Sequence, residues 1–465
     1  MSEERLGPGR AERRLAAGCA AGMAIAAAGT WVRYALEGTL RIDTHTLPFV
    51  LASATSGVGL ILAGACALRL APRAGRLSWR ALAGAAVAVQ ALALGALALT
   101  SSDLFGYLCY GGLARAGMSP YAAPPDALAP SPLLGPAQWT HDYPSPYGPL
   151  LHLVARGAAA AGERLGSPLW GAVFSFKAMM LAALLAALAL AKRHLRARPD
   201  EEAKEIFAAL ALGPLLAWEL PGQGHNDALL FLSVTTFLVA ASRGRERLAA
   251  AALALGTAVK FSVAPLLGLY LVLAGRRSIL RAAGLGLVVI AVLGAAYATD
   301  PQAAASLRGI FITVGGGVPR HAHSLVDLGC LVLDGLGHPE ASRVWFRVLS
   351  LASAVGCLGL LARAAWRARD LDGLARGYLL FLFALFLTTP WFQPWYVSWA
   401  LPLLLVERDP AWRRLLAAFA VVTVVQWAAP LDPVTTVLGD AWLAVKLAQL
   451  LRRGEPEGTA LPQTA

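Results

Sequence analysis

An all-α protein threaded repeatedly through a lipid bilayer is the fold class this sequence predicts, and three observations predict it. Hydrophobic residues make up 57% of the 465 residues and charged residues only 15%, with a mean hydropathy of +0.59, whereas soluble domains carry about a quarter charged residues. Apolar runs of the ~20 residues that a helix needs to cross the hydrocarbon recur along the chain. These runs lack the alternation of barrel strands, and short arginine-rich clusters separate them.

The formal charge of +12 is spread over those clusters and forms neither a basic face nor a tail. It therefore reflects orientation in a membrane rather than binding to nucleic acid. Cys19, Cys66, Cys109, Cys330 and Cys357 show no metal or redox spacing and read as small apolar fillers. The first apolar run follows Arg10, Arg13 and Arg14 and ends in TWVRYAL without a small-residue cleavage pattern, so it reads as a retained signal anchor.

Taking arginine clusters as cytoplasmic, the spans follow in order. A helix over 15–36 runs outward, one over 47–70 returns, and Arg69, Arg73, Arg76 and Arg80 mark a cytoplasmic turn. A third helix over 81–101 then delivers Asp103 to the far surface. Residues 104–147 are too polar and proline-rich to span, yet hold Tyr107, Tyr110, Tyr121, Trp139, Tyr143 and Tyr147, and the pattern from Pro146 suggests an interfacial or partly inserted helix, with a full span as the alternative. The run 168–191 leads to KRHLRARPDEEAKE, and a helix from about 206 rises to WELPGQGHNDALL, placing Glu219, His225, Asn226 and Asp227 on the same side as Asp103. Between SRGRER and Arg276, the segment is too long for one span, and Lys260 and Pro265 in its middle predict two short helices meeting at a cleft.

A helix over 282–299 reaches an outer loop with Arg308, Arg320, His321 and His323. Spans over 343–362 and up to TTPWFQPWYVSW follow, then runs at 397–407, 412–430 and 434–451, giving about 12–14 spans in one domain. Within that domain the order is 15–101 for the first spans, 102–167 for the loop, 168–275 for the core and 276–451 for the C-terminal spans.

Among the polar residues, Asp103 is the strongest candidate for chemistry. An aspartate at a helix end is ordinarily a solvated group, but one heading an aromatic, glycine-rich loop suits a general base for an acceptor hydroxyl. GHND (224–227) offers donor, amide and carboxylate for sugar hydroxyls, and equally reads as a helix start capped by Asn226 or Asp227. His225 and Asp227 have no companion at ligand spacing, so no metal and no other cofactor is expected. Lys260 and Lys177 lie in apolar runs, where a lysine either snorkels or binds an anionic phosphate. Arg320 and His321 are further candidates for that phosphate, and the aromatics at 391–399 read as an interfacial belt, with a lipid-tail or sugar-stacking groove as the alternative.

SSDLFGYLCYGGLARAGMSPY, DYPSPYGPLLHLVA and GQGHNDALLFL, in this order, resemble the polytopic C-type glycosyltransferases, and within them the polyprenol-phosphate-mannose-dependent α-1,6-mannosyltransferases. The resemblance covers roughly residues 80–275. It implies inverting transfer of mannose from a polyprenyl-phosphate donor to an envelope glycan or glycolipid on the extracytoplasmic face of a bacterial inner membrane, with both termini cytoplasmic. Asp103 falls on the family's acidic base, Asp227 with Asn226 on its second acidic loop, and Lys260 on a lysine between two short helices. Tyr107, Tyr121, Tyr147 and His225 would line the substrate site. The rivals are a transporter or lipid-carrier flippase, which would show inverted repeats that this sequence lacks, and a polymerase or ligase using a pyrophosphate-linked donor.

Overall fold

The computed structural model describes residues 9–44, 46–138, 142–306, 324–389, 392–428 and 434–452, and among them there is no β-strand. Trp139, Arg308, Arg320, His321, His323 and Trp391 lie outside the described residues.

Helices α1 (Arg10–Glu37) and α2 (Leu47–Leu70) form an antiparallel pair, and α3 (Trp79–Leu94) packs on α1. Next come α4 (Asp103–Arg115), α5 (Pro149–Arg164), α6 (Pro168–Leu195), α7 (Asp200–Leu212) and the short α8 (Pro214–Ala217). The first part of the chain ends with α9 (Asp227–Ala241), α10 (Glu246–Val259) and α11 (Ala264–Arg277). Beyond them lie α12 (Ile279–Tyr297), α13 (Leu325–Gly335), α14 (Pro339–Arg367), α15 (Leu371–Thr388), α16 (Pro410–Ala428) and α17 (Val434–Arg452). Seven segments among the described residues are long and apolar enough to cross a membrane, and α3 and α9 are shorter apolar helices. In α12 and α14 the apolar faces stay exposed, with Leu287, Ile290, Leu351 and Leu358 uncovered. Lipid, and not protein, is the solvent of those faces. The chain is thus an all-α multi-pass membrane protein.

Three local departures from regular helix build the functional end. The helix expected over 81–101 stops at Leu94, and residues 95–102 continue without helical structure. Four buried side chains from distant parts of the chain hold that stretch. Lys177 donates to the carbonyls of Leu94 and Ala96, Arg33 donates to Ala98 O (3.0 Å), and Thr30 Oγ1 accepts from Leu97 N (2.8 Å). Gln223 Oε1 accepts from Leu99 N (2.8 Å). Buried carbonyls released by a broken helix need such donors, so Lys177 is a tether of backbone and not a ligand for phosphate.

The second departure is a π-helical turn, Trp218–Gly222, containing Pro221, which carries Glu219 inward. Such turns are rare and concentrate at functional sites. Gly224 follows at φ 80°, a left-handed conformation, with Leu104 of α4 packed 3.0 Å from where a Cβ would stand. Glycine meets both demands there, and the GHND loop is seated on the helix that begins at Asp103.

The third departure separates α10 from α11. Lys260 is extended between them, followed by a 3-10 turn over Phe261–Val263. The backbone of the SPYGP motif docks here, Gly148 N donating to Val259 O (3.0 Å). A Cβ on Gly148 would lie 2.1 Å from the carbonyl oxygen of Ala258. Backbone cannot yield as a flexible side chain does, so Gly148→Ala is expected to lower stability by about 1–3 kcal/mol. An unchanged thermal unfolding midpoint in detergent would show that this close approach is not required.

The apolar run at 397–407 is not an α-helix. It forms 3-10 turns over Pro394–Trp399 and Leu401–Leu405. Arg198 secures the far end by donating to Leu405 O (2.8 Å), beside an Arg376 Nε–Glu407 Oε2 contact of 2.7 Å. Prolines at both turn starts remove backbone donors and favour these short pieces over a continuous helix.

Candidate functional site

The residues brought together by these departures form one continuous polar cluster, lined by aromatics, inside an apolar bundle. Asp103 opens α4, where the helix N-terminus favours its negative charge. Tyr107, one turn on, donates its hydroxyl to Asp103 Oδ2 (3.0 Å), and Tyr147 presses edge-on against the Tyr107 ring (5.1 Å between centroids). Burial raises both phenols well above their usual range and the Asp103 carboxylate adds to the effect. Both therefore stay protonated and can donate.

His225 Nδ1 lies 3.8 Å from Asp103 Oδ2, and its Nε2 lies 3.4 Å from Glu219 Oε2. The imidazole is fully buried and stacks on Trp395 with ring centroids 3.6 Å apart. Burial, reinforced by the Lys260 ammonium, holds it well below the usual histidine range, so the ring is neutral.

Asp227 is fully buried and pairs with Lys260 (3.0 Å), while Trp399 Nε1 donates to the same Oδ1 (2.6 Å). The Lys260 ammonium also sits over the stacked rings of Tyr396 and Trp399, at 5.2 and 5.3 Å from their centroids. The carboxylate and two aromatic faces thus compensate the Lys260 ammonium, while the Trp399 indole N–H supports the buried carboxylate.

Asn226 is fully buried, and neither atom of its amide has a hydrogen-bond partner among the described residues. Asn226 stands as the residue before α9, but its side chain makes no capping bond. An unpartnered buried amide costs on the order of 1–3 kcal/mol, a cost that ligand hydroxyls can offset.

Tyr121 stands one layer away. Its ring packs on His152 (4.8 Å), and His152 reaches Tyr147 through Tyr110. His152 Nε2 is 2.7 Å from Ser145 Oγ, and burial pushes that imidazole down to about 4. Arg320 and His321 lie outside the described residues. Among the described residues no group of three or more His, Cys, Asp or Glu side chains is placed to hold a metal.

Four contributors are weakly signalled in the sequence. Glu219 reads there only as facing the same side. Trp395 and Trp399, buried, and Tyr396 wall the site, which matches the groove reading of these aromatics rather than the belt. Their spacing at i, i+1 and i+4 between prolines, and a glutamate six residues before His225, are the available signals.

The fold is an all-α spanning bundle, and its polar cluster holds a carboxylate at a helix start, an unpartnered amide and a buried cation, a set compatible with a membrane glycosyltransferase. The family model described as alpha-(1->6)-mannopyranosyltransferase, N-terminal domain (MptA_B family), matches residues 14–276, and the chain belongs to this family. No curated protein matches the chain. Trp395, Tyr396 and Trp399 come from beyond the matched residues, so the C-terminal part helps to complete the site.

Proposed function

We propose that this mannosyltransferase takes mannose from a polyprenyl-phosphate donor and passes it to an envelope glycan or glycolipid on the extracytoplasmic face of a bacterial inner membrane, using no metal or other cofactor. Asp103 acts as general base. It takes the proton of the acceptor hydroxyl as that oxygen bonds to the anomeric carbon. The bond from that carbon to the phosphate oxygen breaks, its electron pair leaves with polyprenyl phosphate, and the configuration inverts.

The observation that carries this reading is Asp103 at the start of α4, held by Tyr107 beside His225. Of the three clustered carboxyl groups, Asp227 is neutralised by Lys260 and Glu219 is wholly buried, which leaves Asp103 as the group able to meet a substrate hydroxyl. Asn226, whose amide has no hydrogen-bond partner among the described residues, binds sugar hydroxyls, and His225 lies beside the base. Tyr107, Tyr147 and, one layer out, Tyr121 line the acceptor path. Lys260 shares its ammonium between Asp227 and the departing phosphate, and Arg320 and His321 assist from the outer loop. A lipid-linked donor agrees with this placement, because arginine clusters put the Asp103 end away from the cytoplasm and its sugar nucleotides. Both termini are then cytoplasmic.

The test is reconstitution of the purified chain in liposomes with radiolabelled polyprenyl-phosphate mannose and an α-1,6-linked mannan oligosaccharide. Label should pass to the oligosaccharide. Transfer from a sugar nucleotide but none from the lipid donor would overturn the donor assignment.

A further inference from the structure

We propose that Glu219 is a positioning residue, a neutral carboxylic acid that donates to His225 Nε2 and so fixes the tautomer whose Nδ1–H points at the base Asp103. This rests on the reading of Asp103 as base and adds a residue behind it.

Glu219, His225 and Asp103 form a row of three side chains that must share their protons. His225 stands between two carboxyl groups, at 3.4 Å from Glu219 and 3.8 Å from Asp103. A neutral imidazole carries one N–H, so it can donate to one carboxylate while its bare nitrogen faces the other. With both carboxyls ionised, one face of the ring would oppose lone pair to negative charge. One further proton on the chain removes that conflict.

Glu219 is where that proton costs least. Its carboxyl is fully buried, and among the described residues neither oxygen has a hydrogen-bond partner and His225 is the one basic side chain within 4.0 Å. An unpaired carboxylate there would be expensive. Asp103 has the helix N-terminus and the Tyr107 hydroxyl to support its charge.

With the proton on Glu219, the direction of donation runs from Glu219 to His225 to Asp103. The π-helical turn that carries Glu219 inward and the stack of His225 on Trp395 leave the ring little freedom to rotate. Both contacts are longer than hydrogen bonds and close to bonding length when the acceptor is seated, as catalytic contacts often do. The result is a carboxylate held by Tyr107 and His225, with its plane set for the incoming hydroxyl.

The experiment compares Glu219→Gln with Glu219→Leu in reconstituted transfer. Gln keeps a neutral donor, and its kcat should fall less than about tenfold; Leu keeps the bulk and loses the donor, and its kcat should fall on the order of 10²-fold with acceptor KM little changed. A folded Glu219→Gln whose kcat falls about 10²-fold or more below wild type would overturn the proposal whether or not the Leu variant folds, since ionisation and not donation would then be required. A folded Glu219→Leu with wild-type kcat would also overturn it. Asp103→Asn in the same assay separates the two ideas: retained transfer there sinks the base reading, whereas the Glu219 pair speaks only to what orients it.

Discussion

Asp103→Asn should reduce the transfer rate by about 10²–10⁴-fold, the span general-base catalysis contributes, with KM for donor and acceptor near wild type. The amide is nearly isosteric, and its carbonyl can still accept from the Tyr107 hydroxyl that holds the aspartate at 3.0 Å. What it cannot do is take a proton. No neighbouring carboxyl is suited to replace it, because Asp227 is ion-paired with Lys260 and Glu219 has no exposed surface. Initial rates in proteoliposomes measure the effect. Transfer within threefold of wild type would move the base elsewhere.

Lys260→Met should be the most damaging single change to stability at the site. Asp227 is fully buried and would keep only the Trp399 indole as a named partner. Breaking a buried pair by removing one member costs about 3–5 kcal/mol, mainly because the remaining charge is left uncompensated. The aromatic faces of Tyr396 and Trp399 would also lose their cation. Adding Asp227→Asn removes the stranded charge, so the double variant should recover at least half of the lost stability. Thermal unfolding in detergent reads both steps. A midpoint for Lys260→Met equal to wild type would mean that the pair does not stabilise the fold.

Much of the fold could be read from the chain because a bilayer imposes length and composition directly. The runs near 15–36, 47–70 and 168–191 fall within α1 (Arg10–Glu37), α2 (Leu47–Leu70) and α6 (Pro168–Leu195), and Lys260 falls at the junction of two short helices. Hydropathy could not place the end of α3. Residues 95–101 are apolar enough to continue a span, and the helix stops at Leu94 because Lys177, 83 residues away from Leu94, supplies donors to the freed carbonyls. That partner is visible only in three dimensions, which is also why Lys177 reads from sequence as a phosphate ligand.

At the site, the short motifs carried the polar residues and missed the walls. GHND and Asp103 stand out as charges beside apolar runs. Trp395, Tyr396 and Trp399 look like ordinary interfacial aromatics until the 3-10 turn at Pro394–Trp399 carries them against His225 and Lys260. Glu219 is similar, since nothing in WELPG announces a π-helical turn that brings the carboxyl to the histidine six residues later.

Direct displacement with one carboxylate acting as base inverts the anomeric centre, so the configuration of the newly formed bond tests it most directly. With a β-linked polyprenyl-phosphate mannose of defined stereochemistry, NMR of the anomeric centre in the elongated oligosaccharide should show an α-mannosyl linkage. A β linkage, retaining the donor's configuration, would require a covalent or second-nucleophile pathway and would contradict the account.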